Sequence, residues 1–76
     1  GEIAGEPKYT MLLLGLGFRE FSMSTAYMYQ VKRIIRSVNI PECEDLVKSL
    51  MEMEKAAEIE TKLYEVMRTK FPWLNI

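Results

Sequence analysis

Cys43 is the one thiol in the chain, and it stands between Glu42 and Glu44 near the start of a predicted helix. A helix N-terminus lowers a thiol pKa and favours the nucleophilic thiolate, but two adjacent carboxylates act the other way. The plainer reading is a small apolar side chain in a core. Lys32, Arg33 and Arg36 form a basic group suited to an anion or a membrane headgroup. Three cations on the solvent side of a helix are also ordinary, and patches that bind polyanions are usually larger. Six methionines, among them Met51, Met53 and Met67, offer either an adaptable groove for a partner or simple core filling. Neither Gly1-Glu2-Ile3-Ala4-Gly5 nor Gly15-Leu16-Gly17 fits G-x-G-x-x-G or G-x-x-x-x-G-K-[ST], so these glycines read as turn residues rather than phosphate loops. Glu2 is the one carboxylate outside the charged helical surfaces, and alone it makes no acid–base pair and no metal site. With no His anywhere, imidazole acid–base chemistry is excluded.

The composition narrows the remaining classes. The 76 residues carry 10 Lys+Arg against 11 Asp+Glu, a net charge of −1, which lacks the basic excess that neutralises nucleic-acid phosphates. A single Cys builds no disulfide framework and no structural zinc site, which suits a reducing, cytoplasmic setting. The longest apolar run, Met11-Leu12-Leu13-Leu14-Gly15-Leu16-Gly17-Phe18, falls far below the roughly 20 apolar residues that span a bilayer, and no basic segment precedes it as in an export signal. The expectation is a soluble protein without membrane insertion. A chain this short is one domain at most and buries only about 60% of the surface its unfolded form exposes, so a lone core is marginal.

These residues have to be positioned by helices for the most part. Pro7 suits the first turn of a short helix over residues 7–14. Gly15 and Gly17 tolerate the positive φ that ends it. Residues 18–23, Phe-Arg-Glu-Phe-Ser-Met, read as a short buried strand with imperfect alternation. Ser24 offers a hydroxyl to cap a helix over residues 25–38, whose apolar stripe is Tyr27, Met28, Val31, Ile34, Ile35 and Val38. Asn39-Ile40-Pro41 breaks that pattern, and Pro41 begins the next helix with Glu42, Glu44 and Asp45 in its first turn. The stripe Leu46, Val47, Leu50, Met53, Ala57 gives way to Ile59, Leu63, Val66, Met67 on a different phase. The jump implies either two helices with a tight joint or one long helix that changes partner. Phe71-Pro72 ends the last helix and leaves Trp73, Leu74 and Ile76 as an apolar tail. One strand cannot make a sheet, because its buried N–H and C=O groups would each lack a partner at about 1–3 kcal/mol. The strand's neighbours are therefore expected in residues outside these 76, and the start at Gly1-Glu2-Ile3 reads as a cut within a longer protein.

Four segments together resemble one family: Gly1-Glu2-Ile3-Ala4-Gly5-Glu6-Pro7, Leu12-Leu13-Leu14-Gly15-Leu16-Gly17, Glu20-Phe21-Ser22-Met23-Ser24 and Val31-Lys32-Arg33-Ile34-Ile35-Arg36. Their order and spacing are similar to those of phosphoenolpyruvate-protein phosphotransferase, enzyme I of the bacterial sugar phosphotransferase system. The related pyruvate phosphate dikinases and phosphoenolpyruvate synthases share the Gly-Glu start and a Ser-x-Ser run. The resemblance implies a C-terminal slice of a (β/α)8 TIM barrel that binds phosphoenolpyruvate and Mg2+, mainly α as an isolated chain. Under it, residues 1–38 are the last part of that barrel. Gly1 and Glu2 fall just past the seventh strand, residues 7–14 in the seventh helix, residues 20–23 in the eighth strand and residues 25–38 in the eighth helix. Residues 39–76 are a C-terminal helical extension. Glu6 where the family usually has Asp, and Thr25 where it commonly has Pro, are departures that bear on the subtype, sugar or nitrogen-related.

The same resemblance implies what this chain lacks. The family's catalytic Cys stands immediately before the Gly-Glu pair, the phosphorylated His lies in an upstream domain, and the groups that hold phosphoenolpyruvate and Mg2+ come from earlier strands. Cys43 does not correspond to the catalytic one. No catalytic or metal residue is expected here: Gly1 and Glu2 at most border the site, and Ser22 and Ser24 stand near the end of the eighth strand in a supporting place. The expectation is an inactive piece of an enzyme that passes phosphate through a His to a histidine-containing phosphocarrier protein. Its partner is the remainder of the barrel, or a second copy where the barrel is missing. The faces of residues 12–14 and of Met28, Val31 and Ile35 would pack on the barrel sheet. The alternative is an independent helical interaction module that docks a partner helix on its Met-rich stripe.

Overall fold

A computed structural model describes residues 6–21 and 24–74. Within them the protein is helical, with no β-strand among the described residues. A 3-10 turn over Pro7–Tyr9 leads into α1, Thr10–Gly15; α2 spans Thr25–Ser37, α3 Ile40–Met51 and α4 Ala56–Lys70. Pro7 opens the first turn, where its missing N–H costs nothing. The expected helix over residues 7–14 is thus present, wound tightly for its first three residues. Glu52 to Lys55 lie outside helix, so the phase jump marks two helices and not one that changes partner.

Three local expectations are corrected. Gly15 is helical, and only Gly17 takes the left-handed conformation, at φ 103°. Gly17 closes α1 with paired bonds: its own N–H donates to the Leu14 carbonyl at 3.1 Å, and the Phe18 N–H donates to the Leu13 carbonyl at 3.0 Å. That is the arrangement in which a left-handed glycine satisfies the last carbonyls of a helix. Phe18 to Phe21 form neither strand nor helix; Ser22 and Met23, the rest of the expected strand, lie outside the described residues. A strand persists only where a neighbouring strand pairs its backbone, and here the Arg19 guanidinium takes the Phe18 carbonyl instead, at 2.8 Å. Ser24 has the extended backbone of a helix N-cap, but its hydroxyl caps no amide. The Ser24 carbonyl receives the Tyr27 N–H at 3.1 Å, and the residues of that first turn are exposed.

One core joins all four helices. Met11 and Leu14 of α1, Ile34 of α2, Cys43, Leu46 and Leu50 of α3, Leu63 and Met67 of α4, and Phe71 and Leu74 of the tail are buried together. The α2 stripe is wider than the strip that is used: Val31 and Ile34 are fully buried and Val38 half-buried, while Tyr27, Met28 and Ile35 stay exposed. Leu12 and Leu13 are half-buried. At Gly15, α1 comes close to the backbone of α3. A Cβ built there would lie 2.6 Å from Val47 Cγ2 and closer still to the Cys43 carbonyl oxygen.

Candidate functional site

The basic group on α2 does not act as a unit. Lys32, Arg33 and Arg36 all point to solvent, but the Arg33 guanidinium stacks on the indole of Trp73, 4.1 Å from the ring centroid. Trp73 in turn meets Phe71 edge-on, with centroids 5.7 Å apart. Arg33 is therefore drawn into holding the C-terminal tail against α2, a cation–π contact worth about 0.5–1 kcal/mol where exposed. Lys32 and Arg36 remain as solvated charges.

Cys43 is completely buried in the core. Burial pushes its thiol above the ordinary range, and the neighbouring Glu42 carboxylate adds to the shift. That holds the side chain as a neutral thiol, the state least suited to nucleophilic work. The methionines divide by position: Met67 is fully buried, Met53 half-buried, and Met51 is 72% exposed. They do not converge on a groove. Among the described residues no set of three His, Cys, Asp or Glu side chains is grouped to hold a metal ion. Gly1, Glu2 and Ser22 lie outside the described residues, and Ser24 is exposed at the start of α2.

One concave surface lies between the 3-10 turn, α2 and α4. It is an open cleft of about 480 Å3 whose walls include Glu6, Lys8, Tyr27, Gln30 and Leu74. At its edge the Tyr9 hydroxyl donates to Glu60 Oε1 at 3.0 Å, and Lys8 Nζ lies 4.0 Å from Glu60 Oε2. Burial raises the Tyr9 pKa first, and donating to the Glu60 carboxylate raises it further, so the phenol stays protonated. These groups tie the N-terminal turn to α4. They are spent on one another and supply no convergent acid, base or nucleophile.

Two residues have roles that stand outside the sequence expectations. Asn39 caps α3: its side-chain oxygen accepts the Glu42 N–H at 2.8 Å, and the Glu42 carboxylate accepts the Asn39 N–H at 3.0 Å. The signal was present as Asn-x-x-Glu before an apolar run, where the segment reads more readily as a break at Pro41. Arg19 Nη1 donates to the Leu14 carbonyl at 2.8 Å and so covers the end of α1. No spacing rule announces that contact, because the chain must first turn at Gly17.

Comparison with known proteins supplies the identity that the described geometry does not carry. The chain is 40% identical over 70 residues to phosphoenolpyruvate-protein phosphotransferase of Mycoplasma pneumoniae, covering 92% of this chain and 12% of that protein. It is 39% identical over 67 residues to the Haemophilus influenzae protein of the same name, covering 88% of this chain and 12% of the relative. Multiphosphoryl transfer protein 1 of Escherichia coli is 41% identical over 63 residues, 83% of this chain and 8% of its own length. The chain thus spans about a tenth of the curated relatives it matches. No solved structure matches. Residues 1–40, more than half of the 76, match the family profile described as "PEP-utilising enzyme, PEP-binding domain", and the chain belongs to that family.

Proposed function

We propose that this chain is the C-terminal piece of a phosphoenolpyruvate-protein phosphotransferase, completing a (β/α)8 barrel whose phosphoenolpyruvate and Mg2+ site is built by residues outside it. The observation that carries the reading is the family match over residues 1–40, combined with relatives of that name of which the chain covers about a tenth. Under it, residues 1–38 close the barrel and residues 39–76 are a helical extension. Gly1 and Glu2 border the site, with Ser22 and Ser24 in a supporting place. The whole enzyme takes phosphate from phosphoenolpyruvate onto a His and passes it to a histidine-containing phosphocarrier protein in the cytoplasm, for sugar uptake. The apolar residues that α2 leaves exposed within the family-matched segment, Met28 and Ile35, accord with a face that packs on a barrel sheet. No helix among the described residues is long and apolar enough to cross a membrane.

The test is phosphotransfer from radiolabelled phosphoenolpyruvate to a histidine-containing phosphocarrier protein. The longer protein with this chain as its C-terminus should label the carrier, and the 76-residue chain alone should not. Labelling by the isolated chain, or none by the longer protein, would sink the reading. A second reading, an independent helical module, is favoured by one observation: the described helices close a core without any strand. A monomer that melts cooperatively and binds an amphipathic partner helix would support it.

A further inference from the structure

A close approach of α1 to the α3 backbone and the one left-handed turn among the described residues are separated by a single residue. Gly15, the last residue of α1, has no Cβ, and the space one would fill holds the Cys43 carbonyl and the Val47 side chain of α3. A small residue at a crossing lets two helices approach more closely than side chains would allow. Beyond Gly15, each step of the chain is fixed by the end of α1. The Leu16 N–H donates to the Leu12 carbonyl at 3.0 Å, Gly17 turns at φ 103° and donates to Leu14, and Phe18 donates to Leu13. Arg19 then reaches back to the Leu14 and Phe18 carbonyls, both at 2.8 Å. Where α3 sits therefore sets where the end of α1 sits, and the end of α1 sets the path of residues 16–19.

We propose that α3 acts as a positioning clamp on the segment after α1: its seating on Gly15 fixes residues 16–19 and so sets the direction in which the chain continues into Glu20 and Phe21. The clamp joins the family-matched residues 1–40 to the helical pair that follows them. It makes that pair more than a cover. The positioning belongs to the chain by itself, and only its bearing on a phosphoenolpyruvate site rests on the function proposed above.

The experiment is residue-resolved amide hydrogen exchange on the 76-residue chain, which reads the turn without any activity. Gly15→Ala forces α3 away, and the Gly17 and Phe18 amides are expected to exchange about tenfold or more faster, while the Leu63 and Met67 amides of α4 hold their rates. Val47 methyl resonances report whether α3 has moved. Displaced methyls with Gly17 and Phe18 rates unchanged would overturn the proposal. Where Gly15→Ala accelerates every amide alike, the fold has been lost, and Val47→Ala replaces it. That variant loosens the same contact without a clash and is expected to speed the two turn amides several-fold. An equal change across all helices in Val47→Ala would overturn it as well. Because exchange is indifferent to phosphoenolpyruvate, failure here leaves the phosphotransfer reading standing, and failure there leaves the clamp.

Discussion

Glu42 makes two separate contacts from one carboxylate. Its Oε2 accepts the Asn39 N–H at the start of α3, and its Oε1 meets Lys70 Nζ at 2.6 Å at the end of α4. The Lys70 contact lowers the Glu42 pKa most, and the bond from Asn39 lowers it further. A carboxyl whose folded pKa is depressed contributes stability above its unfolded pKa and loses it as the pH falls through the folded value. Acid unfolding of this chain is therefore expected to begin as the medium enters the ordinary carboxylate range and to continue below it. Glu42→Gln should lose part of that acid dependence, seen as urea midpoints at neutral and acid pH drawing together; an unchanged pH profile would rule the residue out. Removing the other half of the cap, Asn39→Ala, should cost about 1 kcal/mol in the same melts. One position away, the buried and neutral Cys43 thiol is expected to react with a thiol reagent only when denaturant opens the core. Fast reaction in native buffer would contradict its burial.

The elements were legible to different degrees, and the reasons are physical. The 3.6-residue periodicity placed α2 within a residue of its observed end because one face of that helix does pack, through Val31 and Ile34. The phase jump after Met53 was visible, but whether it bends one helix or separates two depends on tertiary packing. In the structure Leu46 and Leu50 of α3 and Leu63 and Met67 of α4 enter the same core from separate helices. The strand expected over residues 18–23 rests on aromatics and length alone, and β structure depends on partners that no local pattern supplies. Periodicity also cannot rank residues within a stripe, as the methionines show. Met67→Ala is expected to destabilise the chain by about 2–5 kcal/mol, the usual cost of emptying a core site. Met51→Ala should change stability by no more than about 0.5 kcal/mol, as for other exposed positions. Equal losses in thermal or urea melts would show that Met51 is packed, and a Met-rich groove would return as a reading.

At the scale of the whole molecule, the chain is nearly self-sufficient. Its radius of gyration is 11.7 Å, against about 11 Å for a compact domain of this length. The α1 face that a barrel sheet would cover, residues 12–14, is partly taken already, since Leu14 is buried and Leu12 and Leu13 are half-buried. The α2 face is not. Met28 is 38% exposed and Ile35 36% exposed, and Tyr27 of the same helix is exposed as well. Such a face gains by leaving water, roughly 25 cal/mol for each Å2 of apolar surface covered, and in an isolated chain the surface available to cover it is another copy. Light scattering behind size exclusion is therefore expected to show species larger than a monomer that grow with concentration. The double variant Met28→Lys and Ile35→Lys should run as a monomer at every concentration. Its stability at high dilution should stay within about 1 kcal/mol of the parent chain's, because both side chains keep more than a third of their surface in water within one copy. A parent chain that is monomeric throughout would mean that α2 exposes too little apolar area to associate, leaving the barrel reading to rest on the family match alone. Association that the two lysines fail to abolish would place the contact on another surface, and would detach self-association from the face that a barrel sheet would claim.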